Sequence, residues 1–280
     1  MALKNILVQF EATPAGRRRL DLACMLAKQN EAHLTGIFVV DPLAMGSQLY
    51  ADDLGMMRLT EQFVNEARAA SALAEADYRA NTAKAGITAH WDNLEGSAAE
   101  LLTARARCMD LTILGQTDPD DPAPTANGIT LEQVVFGSGR PVLMVPYVGA
   151  FPTIGRNVLI GWTPRRESAR AAHDALNVIV PGAAVCLATI VDNPHDIEQR
   201  GGHTNEIKAH FTRHGMKATA QELVSGGIEP ADVLLNVAAD INADLLVIGA
   251  YGHSRLREFV MGGVTRSLLR QATVPILMSH

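Results

Sequence analysis

Cysteine is scarce. The three in 280 residues, Cys24, Cys108 and Cys186, are odd in number and scattered through apolar segments. This excludes a disulfide framework or a cysteine-rich metal cluster and predicts buried thiols in a reducing compartment. Positive charge is in deficit, 24 Lys and Arg against 30 Asp and Glu for a formal net charge of -6, so neither nucleic acid nor an anionic membrane is an expected partner. No apolar run is long enough to span a bilayer. The N-terminal run breaks at Gln9 and Glu11, too soon for a signal segment, which makes the cytoplasm the expected location. A Walker A lysine loop, a Gly-x-Ser-x-Gly elbow and a His-Glu-x-x-His pair are all missing, and nothing nominates a nucleophile.

What the sequence does have is an internal repeat. Ile6-Leu7-Val8-Gln9-Phe10 matches Val158-Leu159-Ile160-Gly161-Trp162 at an offset of 152 residues, and Val39-Val40-Asp41 resembles Ile190-Val191-Asp192 at nearly the same offset. Further on, Leu111-Thr112-Ile113-Leu114-Gly115 matches Leu245-Leu246-Val247-Ile248-Gly249, and Pro141-Val142-Leu143-Met144 matches Pro275-Ile276-Leu277-Met278, now at an offset of 134. The first half therefore carries 18 extra residues (152 less 134) between Asp41 and about Glu95, read as a loop leading into a lengthened helix from roughly Asp53 to Ala85. Strand-like and helix-like runs alternate throughout, which is the pattern of βαβ units.

The predicted fold class is α/β: two tandem doubly wound domains, each a five-stranded parallel sheet with four helices. The expected boundaries are residues 1–146 and 156–280, with 147–155 as linker. The fifth strands, Pro141–Val145 and Pro275–Met278, are apolar and would lie at sheet edges. Exposed edges invite pairing, so the two are expected to pair within one chain, giving an intramolecular pseudo-dimer. Ligands of such sheets sit beyond the strand tips where the strand order reverses.

At that end of the second half comes Gly249-Ala250-Tyr251-Gly252, then nine residues, then Gly262-Gly263-Val264-Thr265 opening a helix. Glycines at a strand end and a helix start let backbone N–H groups approach an anion, and the helix N-terminus adds partial positive charge. Any one glycine is more simply a strand or helix terminator; the four together form a pattern. His253, Arg255 and Arg257 in the loop, against Glu258, also suit an anion.

This arrangement resembles the universal stress protein pattern Gly-x2-Gly-x9-Gly-Ser/Thr, with Gly249, Gly252 and Gly262 in register. The element order matches that family twice along the chain. The resemblance implies a flavodoxin-like fold, a stress-response role, and, in nucleotide-binding members, ATP or a related adenine nucleotide with its bound Mg²⁺. By position, Gly249, Gly252, Gly262, Gly263 and Val264 would hold the phosphates, with Thr265 close by and Val191 and Ile248 on the adenosine side. Gly263 stands where those members carry a hydroxyl, and Thr163, followed by Pro164 and Arg165, stands where they carry an acid after the first strand.

The first half has Gly115, Asp118 and Gly128 at the same places, and its loop carries Asp120 and Asp121 among Pro119, Pro122 and Pro124. Prolines delete N–H donors, and each carboxylate pair near a triphosphate costs on the order of 1 kcal/mol. No nucleotide is expected there, although Glu11 occupies the family's acid position. Arg17-Arg18-Arg19 and Arg165-Arg166 read as solvated first-turn charges. Ser225-Gly226-Gly227-Ile228-Glu229 has a likeness to a pyrophosphatase loop, but it follows a third strand and reads better as a turn before Pro230. Glu206, His210 and His214 at i, i+4 and i+8, with His203 a turn earlier, have ligand spacing for a transition metal; a solvated His-rich face is the simpler account, and no metal beyond nucleotide-bound Mg²⁺ is expected.

Three readings remain. The leading one is a regulatory module without efficient turnover, whose second half senses an adenine nucleotide. A slow nucleotide hydrolase would use His253 as general base. An interaction protein with a vestigial site is favoured by Gly263 and Thr163. A homodimer and a regulatory protein partner are compatible with all three.

Overall fold

Where the chain runs four or more apolar residues together, a parallel sheet covered on both faces can bury all of them. The computed structural model describes residues 3–41, 53–118, 128–193, 195–250 and 263–280. Among these, the strands are β1 Asn5–Gln9, β2 His33–Val40, β3 Ala89–Glu95, β4 Leu111–Gly115, β5 Val142–Val145, β6 Asn157–Gly161, β7 Ala184–Val191, β8 Lys217–Val224, β9 Leu245–Gly249 and β10 Ile276–Ser279. The helices are α1 Pro14–Asn30, α2 Asp53–Ala85, α3 Ala98–Ala106, α4 Gly128–Ser138, α5 Arg166–Ala175, α6 His195–Arg213, α7 Pro230–Asp240 and α8 Gly263–Gln271.

The chain divides into two compact units, Ala2–Arg140 and Pro141–His280. In the first, the strand order is β3-β2-β1-β4, all parallel, with Val8 beside both Gly36 and Ile113. In the second, β8-β7-β6-β9-β10 repeats the scheme in parallel, and β5 adds an antiparallel edge, Leu143 opposite Leu277. The fifth strand of the first repeat is thus held by β10 inside the unit Pro141–His280. The two fifth strands pair edge to edge, as their apolar exposure at an edge predicts. In each unit the strand order reverses beside the first strand of the repeat, between β1 and β4 and between β6 and β9, and those two crevices are where ligands of this architecture bind.

The duplication extends to a device that the apolar pattern does not reveal. Asp110 accepts hydrogen bonds from the backbone N–H of Lys4 and Asn5 at 2.8 and 2.9 Å. Asp244, 134 residues later, accepts from Arg156 and Asn157 at 3.0 Å each through Oδ1. Each carboxylate fastens the start of a first strand to the start of a fourth.

The 18 extra residues of the first half lie mostly in one helix, for α2 has 33 residues and α6 has 19. The Tyr78 hydroxyl anchors α2 to the sheet by donating to the Leu34 carbonyl at 2.8 Å, and its ring meets Trp91 at 5.1 Å and Phe10 at 6.2 Å. Gly36 leaves room for that ring, since a Cβ there would stand 2.5 Å from Tyr78 Cε2. Of the thiols, Cys24 is buried, with its pKa pushed up to about 11 by burial and then by Asp21. Cys186 is half-buried, and Cys108 is exposed, against expectation. It lies just beyond α3, in the turn leading to Asp110, where apolar neighbours in sequence are not neighbours in the core.

Candidate functional site

The first crevice is occupied by its own chain. Arg19, on α1, is only 6% exposed and reaches over the tips of β1 and β4. Its Nε donates to the Gln9 carbonyl at 2.6 Å and its Nη2 is ion-paired with the Glu11 carboxylate. Its Nη1 would clash with a Cβ at Gly115, so any larger residue at the end of β4 would have to displace the guanidinium. A buried guanidinium needs such partners, a carboxylate and a carbonyl, to offset its desolvation. This corrects the reading of Arg17–Arg19 as three solvated charges: successive helical residues point about 100° apart, so one of a run of three turns inward. Arg17 remains outside and pairs with Asp77 at 2.7 Å. Glu11, at the acid position of the family pattern, is committed to Arg19.

At the same offset of 152, the second crevice has Thr163 for Glu11 and Ala171 for Arg19. Ala171 is buried, and no ion pair crosses between these two positions. Thr163 Oγ1 instead shares a hydrogen bond with Ser168 Oγ at 2.9 Å. The first turn of α5 lies directly on Gly249: a Cβ there would clash with the Ser168 nitrogen and stand 2.5 Å from the Glu167 carbonyl carbon. That glycine therefore has a packing role besides any toward a ligand.

The N-termini of the two equivalent helices differ. Thr13 caps α1, its hydroxyl accepting from Gly16 N–H at 3.0 Å. Arg165, at the start of α5, makes no side-chain cap. Burial alone would raise the Glu167 carboxyl, but a 2.5 Å hydrogen bond from Arg166 Nε, its own backbone N–H, and the charges of Arg166 and His280 outweigh it and hold the group below its ordinary range. His280 Nδ1 lies 3.1 Å from the Ala250 carbonyl, which the imidazole satisfies as donor, and Ser279 Oγ donates to Asp174 Oδ2 at 2.9 Å.

Of the residues singled out by sequence, Ile248 sits beside Gly161 in the β6–β9 register, its side chain 3.3 Å from where a Gly161 Cβ would be. Val191 closes β7, and both it and Ile248 are buried. Gly249 ends β9 opposite Ser279, and Thr163 lies two residues past the end of β6. Gly263 opens α8 and is exposed, Val264 is half-buried and Thr265 is buried. Gly252 and Gly262, with His253, Arg255 and Arg257, lie outside the described residues, as does the first-half loop with Asp120 and Asp121.

Sequence reasoning missed Glu167, Ser168 and His280. The signal was available in the repeat itself, which places α5 where Arg19's helix stands in the first half.

The Ser225–Gly227 segment is the turn expected: Ser225 N–H donates to Val191 O at 2.9 Å, and Gly226 and Gly227 have φ of 59° and 87°. In the His210 row, Glu206 and His214 are exposed, as a solvated face requires, while His210 turns partly inward. His210 is half-buried, its ring centroid 4.8 Å from that of His173 on α5 and 4.6 Å from that of His214. Among the described residues no three His, Cys, Asp or Glu side chains are placed to hold a metal ion. Nor, among them, is any helix long and apolar enough to cross a membrane.

Comparison with known proteins gives a consistent result. Residues 2–146 and 156–280 each match the Universal stress protein family. A universal stress protein of Synechocystis is 27% identical over 154 residues, covering 54% of this chain and 50% of that protein, so the chain spans about half the length of this relative. One from Mycobacterium tuberculosis is 31% identical over 122 residues, covering 42% of this chain and 72% of that protein. Among solved structures, a universal stress protein from Archaeoglobus fulgidus superposes with a TM-score of 0.75 at 14% identity, over 98% of this chain and 96% of that one. A protein of unknown function from Pseudomonas aeruginosa gives 0.60 at 16% identity, over 99% and 92%. At these identities the structural likeness concerns the fold.

Proposed function

The chain belongs to the universal stress protein family, and on that premise we propose that it is a regulatory binding module whose second repeat takes one adenine nucleotide at the tips of β6, β7 and β9. The observation that carries this reading is the difference between the two crevices. The first is filled by the Arg19 guanidinium and its Glu11 partner. The second has a hydroxyl pair, Thr163 and Ser168, and a buried alanine in those places. Only the second repeat carries the full glycine pattern Gly249, Gly252, Gly262, and its α5 presents a first turn that Arg165 does not cap.

ATP with Mg²⁺ is the ligand to try first. Gly249, Gly252, Gly262, Gly263, Val264 and Thr265 would hold its phosphates, and Thr163, Val191 and Ile248 would lie toward the adenosine. No efficient turnover is part of the proposal: the sequence nominates no nucleophile, and His253, its candidate general base, lies outside the described residues. A cytoplasmic location is supported by three unpaired thiols, and output would pass through a protein partner or a homodimer.

The test is isothermal titration of ATP and Mg²⁺ into the full chain and into Gly252→Asp, after mass spectrometry for co-purified nucleotide. Saturation near one per chain in the parent, lost in the variant, is expected. Absence of binding in both would transfer the proposal to an interaction protein with a vestigial site, which Gly263 in place of a hydroxyl and Thr163 in place of an acid favour.

A further inference from the structure

Three imidazoles meet on the second repeat away from the strand tips. His173, near the end of α5, and His214, just past the end of α6 and one turn beyond His210, flank the His210 ring at centroid distances of 4.8 and 4.6 Å. His210 also packs edge-on against the fully buried Phe211 ring at 5.7 Å, and its Nε2 is buried without a hydrogen-bond partner. His173 Nδ1 lies 2.8 Å from the Ala169 carbonyl, so it carries the proton there.

The charge around His210 is arranged against a cation. From α5 come His173 and Arg170, whose Nε is bonded to Asp174 at 2.9 Å; Asp174 in turn also accepts from Ser279. From α6 comes Arg213, with His214 just beyond its end and Glu206 one turn before His210. Under α6, β7 contributes Cys186, which accepts from Gln221 at 3.2 Å, and β8 contributes Lys217 and Glu222, the latter bonded to Thr204 at 3.1 Å. Of the acids on these elements, Asp174 and Glu222 already have partners.

We propose that His173, His210 and His214 form a proton-operated contact between α5 and α6, closed while the rings are neutral and loosened when acid charges them. Neutral imidazoles pack at these distances, whereas imidazolium ions repel one another and cannot be hydrated at a buried Nε2. Burial first, then His173, His214 and Arg213, hold His210 below the ordinary histidine value. A base depressed in the folded chain binds its proton more readily when unfolded. The contact's contribution is therefore complete above the ordinary value of about 6.5 and is lost as pH falls through the lower folded value. Its first consequence falls on α5, whose other end lies on Gly249. The proposal holds whether or not the second repeat takes a nucleotide.

The test is histidine ring titration by NMR on the full chain, with urea unfolding at pH 7.5 and 5.0. His210 is expected to titrate below the ordinary histidine value of about 6.5, and His173→Gln to move its midpoint back toward that value. The folding equilibrium constant should fall on acidification by about tenfold for each pH unit of depression, and His210→Asn should flatten that fall. His173→Gln changes an exposed side chain, so it keeps the test open should His210→Asn not fold. An ordinary His210 midpoint unmoved by His173→Gln would overturn the proposal, as would an acid response unchanged in a folded His210→Asn. Titration of all three rings suppressed by stoichiometric Zn²⁺ at neutral pH would replace it with a metal site.

Discussion

Two side chains, Glu11 and Arg19, set the first crevice apart from the second. Arg19 is buried with Glu11, so cutting it away takes the guanidinium from a carboxylate that is only 14% exposed. Removing one partner of a buried pair is worse than removing both, because the survivor keeps its desolvation cost. Arg19→Ala should therefore cost about 3 kcal/mol in urea unfolding. The double change Glu11→Thr with Arg19→Ala, which copies the second repeat, should cost clearly less; equal costs would mean that the ion pair is not the source of the effect. Gly249 gives a different residue-scale prediction. Its missing Cβ makes room for backbone atoms of α5, not for a flexible side-chain tip. Gly249→Ala should fall at the upper end of the about 1–3 kcal/mol typical of overpacking, independent of any nucleotide. A neutral result would show that α5 can shift away from β9 at little cost.

At the scale of elements, the strands were readable because each is an apolar run too short for a helix and bounded by turn residues, as Leu245–Ile248 and Leu111–Leu114 are. The long α2 was readable too, from an arithmetic difference between two repeat offsets. The inward turn of Arg19 was not, because a run of three arginines carries no helical phase of its own. His173 escaped for another reason: it lies 37 residues before His210 in sequence, and only the packing of α5 beside α6 unites them. Cys108 was misread because local hydrophobicity does not distinguish a buried strand from the turn that feeds it. The β5–β10 edge is where pattern and pairing agree, and it offers a test. Leu143 faces Leu277 across an antiparallel ladder and is fully buried, so Leu143→Ala should cost about 2–5 kcal/mol. A cost below 1 kcal/mol would show that the pair is not formed in solution.

Across the whole molecule, a duplicated fold has come to hold two unlike crevices. Both repeats keep the strand order, the carboxylate that fastens first to fourth strand, and a glycine at the end of the fourth strand. They differ in what covers that glycine, a guanidinium in one case and the backbone of a helix's first turn in the other. In the first repeat the binding face is satisfied internally, and the lengthened α2 adds surface to the same repeat. The proposed division of labour follows: the first repeat is structural, and the second binds and responds, to a nucleotide at its strand tips and to protons at the α5–α6 contact.

The most direct test of that division is nucleotide stoichiometry by native mass spectrometry, comparing the parent chain with Thr163→Glu combined with Ala171→Arg, which transplants the first repeat's ion pair into the second. With folding of the variant checked by circular dichroism, the account predicts one ATP per parent chain and none on the variant. Two nucleotides per parent chain, or one retained by the folded variant, would contradict it.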